Sequence, residues 1–282
     1  MSAEEKVAAP AAGRSRSWTE QTRGIEIEDL TVAYERRGKN TDSLTVLQDF
    51  SLSVRGGELL TIVGPSGCGK STLLKVIANL IPAISGRIRY EPNDSRPKIG
   101  FVFQDYANAL APWRTALRNV ELGLEIEGVP RDERRERARR YLSLVGLAGY
   151  ESAYPRELSG GMQQRVQLAR VLAYDPMVLL MDEPFGSLDS QMRRVLQGDV
   201  RRILEQLGRT VVFVTHDIEE ALYLGDRVVV FSAAPAKILL EIEQPDRPED
   251  LETFLQTDRL QEQRAQIWSV LRDQIVDTGS RG

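Results

Sequence analysis

Cysteine and histidine are nearly missing from this chain, with one of each in 282 residues. The lone Cys68 excludes an intramolecular disulfide and fits a reducing compartment. No apolar run approaches the roughly 18 residues a membrane span needs, and no signal-peptide apolar region is found near the N-terminus. Any part played at a membrane is therefore expected to run through a partner. A positive charge excess is missing too: 37 Lys and Arg stand against 41 Asp and Glu, a formal net charge of −4. That argues against a nucleic-acid partner, whose footprint is usually basic. What remains is an ordinary globular composition, 41% hydrophobic and 28% charged. It is enough chain for one large domain or a domain with a subdomain.

Gly64-Pro65-Ser66-Gly67-Cys68-Gly69-Lys70-Ser71 reads G-x-x-x-x-G-K-[ST], a phosphate-loop pattern. Its surroundings suit the part. Leu59-Leu60-Thr61-Ile62-Val63 before it is a short apolar, β-branched run, as a buried parallel strand is. After it, Leu73, Leu74, Val76, Ile77 and Leu80 mark the inner side of a helix stopped by Pro82. The glycines allow a tight curl that turns several N–H groups onto one set of phosphate oxygens, and the helix N-terminus adds partial positive charge. In such a loop Lys70 reaches the β/γ-phosphates and the Ser71 hydroxyl ligates Mg²⁺.

Residues 1–24 hold Trp18 as their one large apolar side chain and read as a flexible tail. From Ile25 the pattern alternates over 25–34 and again over 44–52, separated by a polar turn at 36–43, with a further strand at 87–90; these predict an antiparallel unit. Four later runs share one grammar, apolar and then at once polar: 99–103 before Gln104, 178–181 before Asp182-Glu183, 211–214 before Thr215-His216, and 228–231 before Ser232. Strands buried on both faces read so, and open α/β sheets place ligands beyond the carboxyl ends of their strands. Between 104 and 158 helix patterns take over, at 112–124 and 131–145, and predict an inserted helical subdomain. The arginines at 131, 134, 135, 137, 139 and 140 alternate with acids and are read as a solvated face. Further helices are expected over 162–173, 190–207 and 248–276.

The motif Leu158-Ser159-Gly160-Gly161-Met162-Gln163-Gln164-Arg165, just upstream of 178–183, makes the resemblance specific: the chain resembles the ATP-binding subunit of an ABC transporter from about 25 to 232. Met162 departs from the commonest LSGGQ form in a way not expected to impair function. Tyr34, the phosphate loop, Gln104, the D-loop Ser187-Leu188-Asp189 and His216 follow in the family's order. The resemblance implies an α/β P-loop NTPase (RecA-like) core with an antiparallel β subdomain, spanning 25–235 with its helical subdomain at about 105–160, then a helical extension over 236–282. It assigns ATP to Tyr34, to 64–71 with Thr72, and to Gln104. It also assigns ATP to Ser159, Gly160, Gly161, Gln163 and Asp189, which reach the ATP of a second subunit paired head to tail. Asp182, Ser71 and Gln104 then hold Mg²⁺. Glu183 is the general base, and His216 and Lys70 act on the γ-phosphate.

Within the family, one cassette, an acidic charge and a small insertion fit a transport ATPase better than the alternative, a non-transport clamp on nucleic acid. The stretches 101–106, 111–120 and 185–189 most resemble the nitrate/sulfonate/taurine importer group. That implies a separate membrane permease, a solute-binding protein acting through it, and a peripheral place on the cytoplasmic face of the membrane.

Overall fold

The computed structural model describes residues 23–35, 43–104, 109–186, 190–244 and 250–279. The expected tail up to 22, most of the 36–43 turn and Ser187, Leu188 and Asp189 lie outside the described residues. The first sheet is antiparallel, in the order β2-β1-β4, from β1 (Ile25–Glu35), β2 (Ser43–Val54) and β4 (Ser85–Tyr90). Its alternation sorts the side chains. Ile25, Ile27, Leu30 and Val32 are buried, while Glu26 and Glu28 stand opposite Arg89 and Arg87 of β4.

The second sheet runs β5-β6-β7-β3-β8-β9, built from β3 (Leu59–Val63), β5 (Ile99–Val102), β6 (Val178–Asp182), β7 (Thr210–Val214), β8 (Arg227–Phe231) and β9 (Ile238–Glu243). Neighbours among the first five pair parallel, and β9 closes the edge antiparallel to β8. Every residue of β3, β6, β7 and β8 is buried. Alternate side chains serve opposite cores: Val63, Met181, Phe213 and Val230 face one way, Ile62, Leu180, Val214 and Phe231 the other. Each such burial is worth about 1.5–3 kcal/mol, which is why the strands read as unbroken apolar runs. Parallel pairing brings their carboxyl ends to one edge of the sheet.

On the side of the antiparallel sheet lies α1 (Lys70–Ile77), seated through Leu73, Leu74 and Ile77. The opposite core takes α2 (Ala116–Ile126), α3 (Arg131–Leu144) and α4 (Gly160–Ala173), which pack on one another. It also takes α5 (Ser190–Leu207), α6 (Ile218–Leu224), α7 (Leu251–Leu255) and α8 (Asp258–Gly279). On α3 only Ala138 and Leu142 are buried, so its arginines do form a solvated face.

Capping moves three boundaries away from those the apolar spacing predicts. The expected helix at 112–124 begins only at Ala116: buried Asn119 binds Ala111 N (2.8 Å) and the carbonyls of Ala111, Arg114 and Thr115, holding 111–115 in a turn, and Thr115 caps. Ser159 caps α4 by accepting from Met162 N at 3.3 Å, so Gly160 and Gly161 fall inside its first turn rather than before it. The single helix expected over 248–276 is two, because Asp250 caps α7 and the Thr257 hydroxyl accepts from Leu260 N at 3.3 Å to start α8. Strand β9 and helix α6 have no counterpart in the sequence reading.

Candidate active site

Residues 64–71 join β3 to α1. Gly67 and Gly69 take φ of +78° and +116°, which side chains rarely adopt, and a Cβ at Gly69 would lie 3.1 Å from Val46 O. The loop curls round Lys70, whose Nζ donates to Gly64 O at 2.7 Å and Pro65 O at 2.9 Å. α1 starts at this lysine, so its unpaired N-terminal N–H groups open onto the loop. Ser66 and Gly67 are exposed. Cys68 points inward instead: it is 1% exposed and burial pushes its thiol above the ordinary range. The thiol is therefore closed off from solvent.

Asp182 ends β6 beside the loop, and Ser71 Oγ donates to its Oδ1 at 2.8 Å. Burial raises the Asp182 carboxyl, the Ser71 hydrogen bond opposes this, and the Glu183 charge adds to it. Among the described residues no cluster of three or more His, Cys, Asp or Glu is found. The donors here are instead one hydroxyl and one carboxylate, hard oxygens that suit Mg²⁺ when phosphate oxygens complete its shell.

Glu183 adopts φ +44°, unusual for a residue with a side chain. Its N–H donates to Val214 O at 2.9 Å, so strand β7 holds the turn, and the strain is of the order of 1–3 kcal/mol. The turn aims the carboxylate at two neighbours. Oε2 lies 3.1 Å from His216 Nδ1 and accepts from Gln104 Nε2 at 3.2 Å. Tyr34, 41% exposed, bonds Thr72 Oγ1 at 3.0 Å through its hydroxyl. The structure thus gathers Tyr34, 64–72, Gln104, Asp182, Glu183 and His216 at the carboxyl edge of the parallel strands.

Asp189 lies outside the described residues, and Ser159 and Gln163 are bonded elsewhere. Gln163 Nε2 donates to Pro155 O and Leu158 O, Ser159 bonds Met162, and among the described residues neither shares a hydrogen bond with the loop. Two residues that the sequence reading passed over lie behind the turn that carries His216: Glu220, whose N–H donates to Asp217 Oδ1 at 3.1 Å, and Gln197, which donates to the Glu220 carboxyl. A glutamate in the first turn of a helix is an ordinary surface choice, so nothing local announced its burial.

The ABC transporter family model matches residues 47–186. An uncharacterized ABC transporter ATP-binding protein of Methanocaldococcus jannaschii is 43% identical over 89% of this chain and 92% of its own length. The aliphatic sulfonates import ATP-binding protein of Bacillus cereus is 44% identical over 73% of this chain and 81% of its own. A Fe(3+) ions import ATP-binding protein of Agrobacterium fabrum is 41% identical over 80% and 64%. The fold matches the dimeric structure of a bacterial ABC transporter cassette with a TM-score of 0.67 at 34% identity, over 78% of this chain and 98% of that one. A post-hydrolysis form of that cassette, bound to ADP and Pi, matches with the same score. The chain therefore belongs to the ABC transporter family, as an ATPase that takes ATP and Mg²⁺.

Proposed function

We propose that this chain is the ATP-hydrolysing subunit of an ABC importer, and that its site is half of a composite one. The observation that carries the reading is that, among the described residues, no hydrogen bond joins the phosphate loop to the 159–163 segment. The loop, Asp182, Glu183, Gln104 and His216 form one bonded group, while Ser159 caps a second helix N-terminus whose side-chain bonds are all local. Two phosphate-suited helix ends that do not meet in one chain fit two chains, each supplying one end to each ATP.

In that arrangement 64–71 and Thr72 cradle the phosphates, Lys70 meets the β/γ-phosphates and Tyr34 stacks on adenine. Ser71, Asp182 and Gln104 hold Mg²⁺, which when bound neutralises charge on the phosphate oxygens. Glu183 Oε2 takes the proton of the attacking water, and His216 beside it acts on the γ-phosphate. Ser159, Gly160, Gly161, Gln163 and Asp189 come to the ATP of the second subunit. Closure on ATP and release after hydrolysis are then a ligand-driven population shift.

No helix among the described residues is long and apolar enough to cross a membrane; on the importer reading a separate permease carries the solute, with a solute-binding protein acting through it. The subunit then sits peripherally on the cytoplasmic face. A small anion such as nitrate, sulfonate or taurine is favoured as solute by the stretches 101–106, 111–120 and 185–189. Co-purification tests this: the membrane subunit recovered with the chain, reconstituted in vesicles, should take up such an anion at the expense of ATP. Recovery of nucleic acid and no membrane protein would overturn the transport reading.

A further inference from the structure

The carboxyl of Glu220 has no part in the site as described, yet it is buried, 5% exposed, in the first turn of α6. It lies between two elements. From α5, Gln197 Nε2 donates to Glu220 Oε1 at 2.8 Å; from the end of β7, the Thr215 side chain faces the same carboxyl and favours its charged form. Thr215 is fixed twice more, its N–H donating to Ile62 O at 3.1 Å and its Oγ1 accepting from Asp217 N at 3.0 Å. With a lone pair of Thr215 Oγ1 facing Asp217 N, its one proton is left to turn towards Glu220. One turn earlier on α5, Arg193 lies 3.7 Å from Asp217 Oδ2. Thr215 and Asp217, the residues on either side of His216, are therefore both held by one face of α5, the first through Glu220 and the second directly. An apolar side chain would fill this space without the cost of desolvating a carboxyl, so packing alone gives no reason for Glu220.

We propose that Glu220 is the positioning residue for His216: by tying the Thr215 hydroxyl to α5 it sets the backbone from which the imidazole reaches Glu183. This rests on the reading of His216 as a site residue given above.

His216 is the single histidine of the chain, so tag-free protein shows one imidazole signal by NMR. Glu220→Ala and Thr215→Val should each move that signal. Each should lower kcat about ten- to hundredfold, with KM for Mg-ATP changed by less than about twofold. Glu220→Gln, which still accepts from Thr215, should restore most of the rate. In a His216→Ala background, Glu220→Ala should cost nothing further. An unmoved imidazole signal, or the same loss with and without His216, overturns the proposal and leaves Glu220 a scaffold residue. Thr215→Val, close to isosteric, carries the test should Glu220→Ala not fold. If His216→Ala alone keeps the wild-type rate, the reading of the site fails, and the imidazole signal still decides whether Glu220 positions the ring.

Discussion

His216 Nδ1 lies 3.1 Å from Glu183 Oε2, the oxygen that also accepts from Gln104. One carboxylate oxygen is thereby gripped from the ends of β5 and β7 while its own backbone sits at φ +44°. The carboxylate is held by these two neighbours, as a group proposed to accept a proton needs to be.

Replacing that carboxylate by a carboxamide keeps the shape and removes the base. Glu183→Gln should lower kcat by about 10²–10⁴. It should keep ATP binding and accumulate an ATP-bound dimer, seen by size exclusion with Mg-ATP. Hydrolysis at the wild-type rate would refute the assignment.

Ser71→Ala removes the hydroxyl bonded to Asp182 at 2.8 Å. Loss of that bond and of a hard oxygen donor should raise the Mg²⁺ concentration needed for half-maximal hydrolysis about tenfold, the equivalent of about 1.4 kcal/mol. A Mg²⁺ titration of both proteins measures it, and superimposed curves would remove Ser71 from the ion's shell.

The loop position of Cys68 invites the expectation that ATP protects it from thiol reagents. Its burial corrects this: at 1% exposure, with the thiol raised by desolvation, it should react slowly with or without nucleotide. The measurement is labelling rate at pH 7 in native and urea-unfolded protein. Fast labelling of the native chain that ATP abolishes would put the thiol on the open side of the loop.

Burial raises Glu220 from 4.5 to about 7, opposed by its bonds to Thr215 and Gln197. Between those values the folded chain binds more protons than the unfolded one. Its contribution to stability therefore falls as pH rises through that window, by up to about 1.4 kcal/mol per pH unit, and levels off above. Glu220→Gln should flatten this slope. Urea melts of both proteins at pH 5, 6, 7 and 8 check it, and a difference independent of pH would show that the carboxyl titrates normally.

The sequence by itself determined the strands of the parallel sheet and the identity of the phosphate loop, because both rest on short-range rules. Strands covered on both faces must be apolar throughout, and a loop that wraps phosphate needs glycine at Gly67 and Gly69, where φ is positive. It also determined that Asp182, Glu183, Gln104 and His216 stand at strand ends. Helix starts were less legible, since Asn119 and Thr257 act through bonds that spacing does not reveal. Only the tertiary structure decided that one oxygen of Glu183 meets both Gln104 and His216, that Cys68 faces the core, and that Glu220 is buried between α5 and β7. These depend on which strands become neighbours, and Gln104, Glu183 and His216 are brought together by the order β5-β6-β7, which no local pattern encodes.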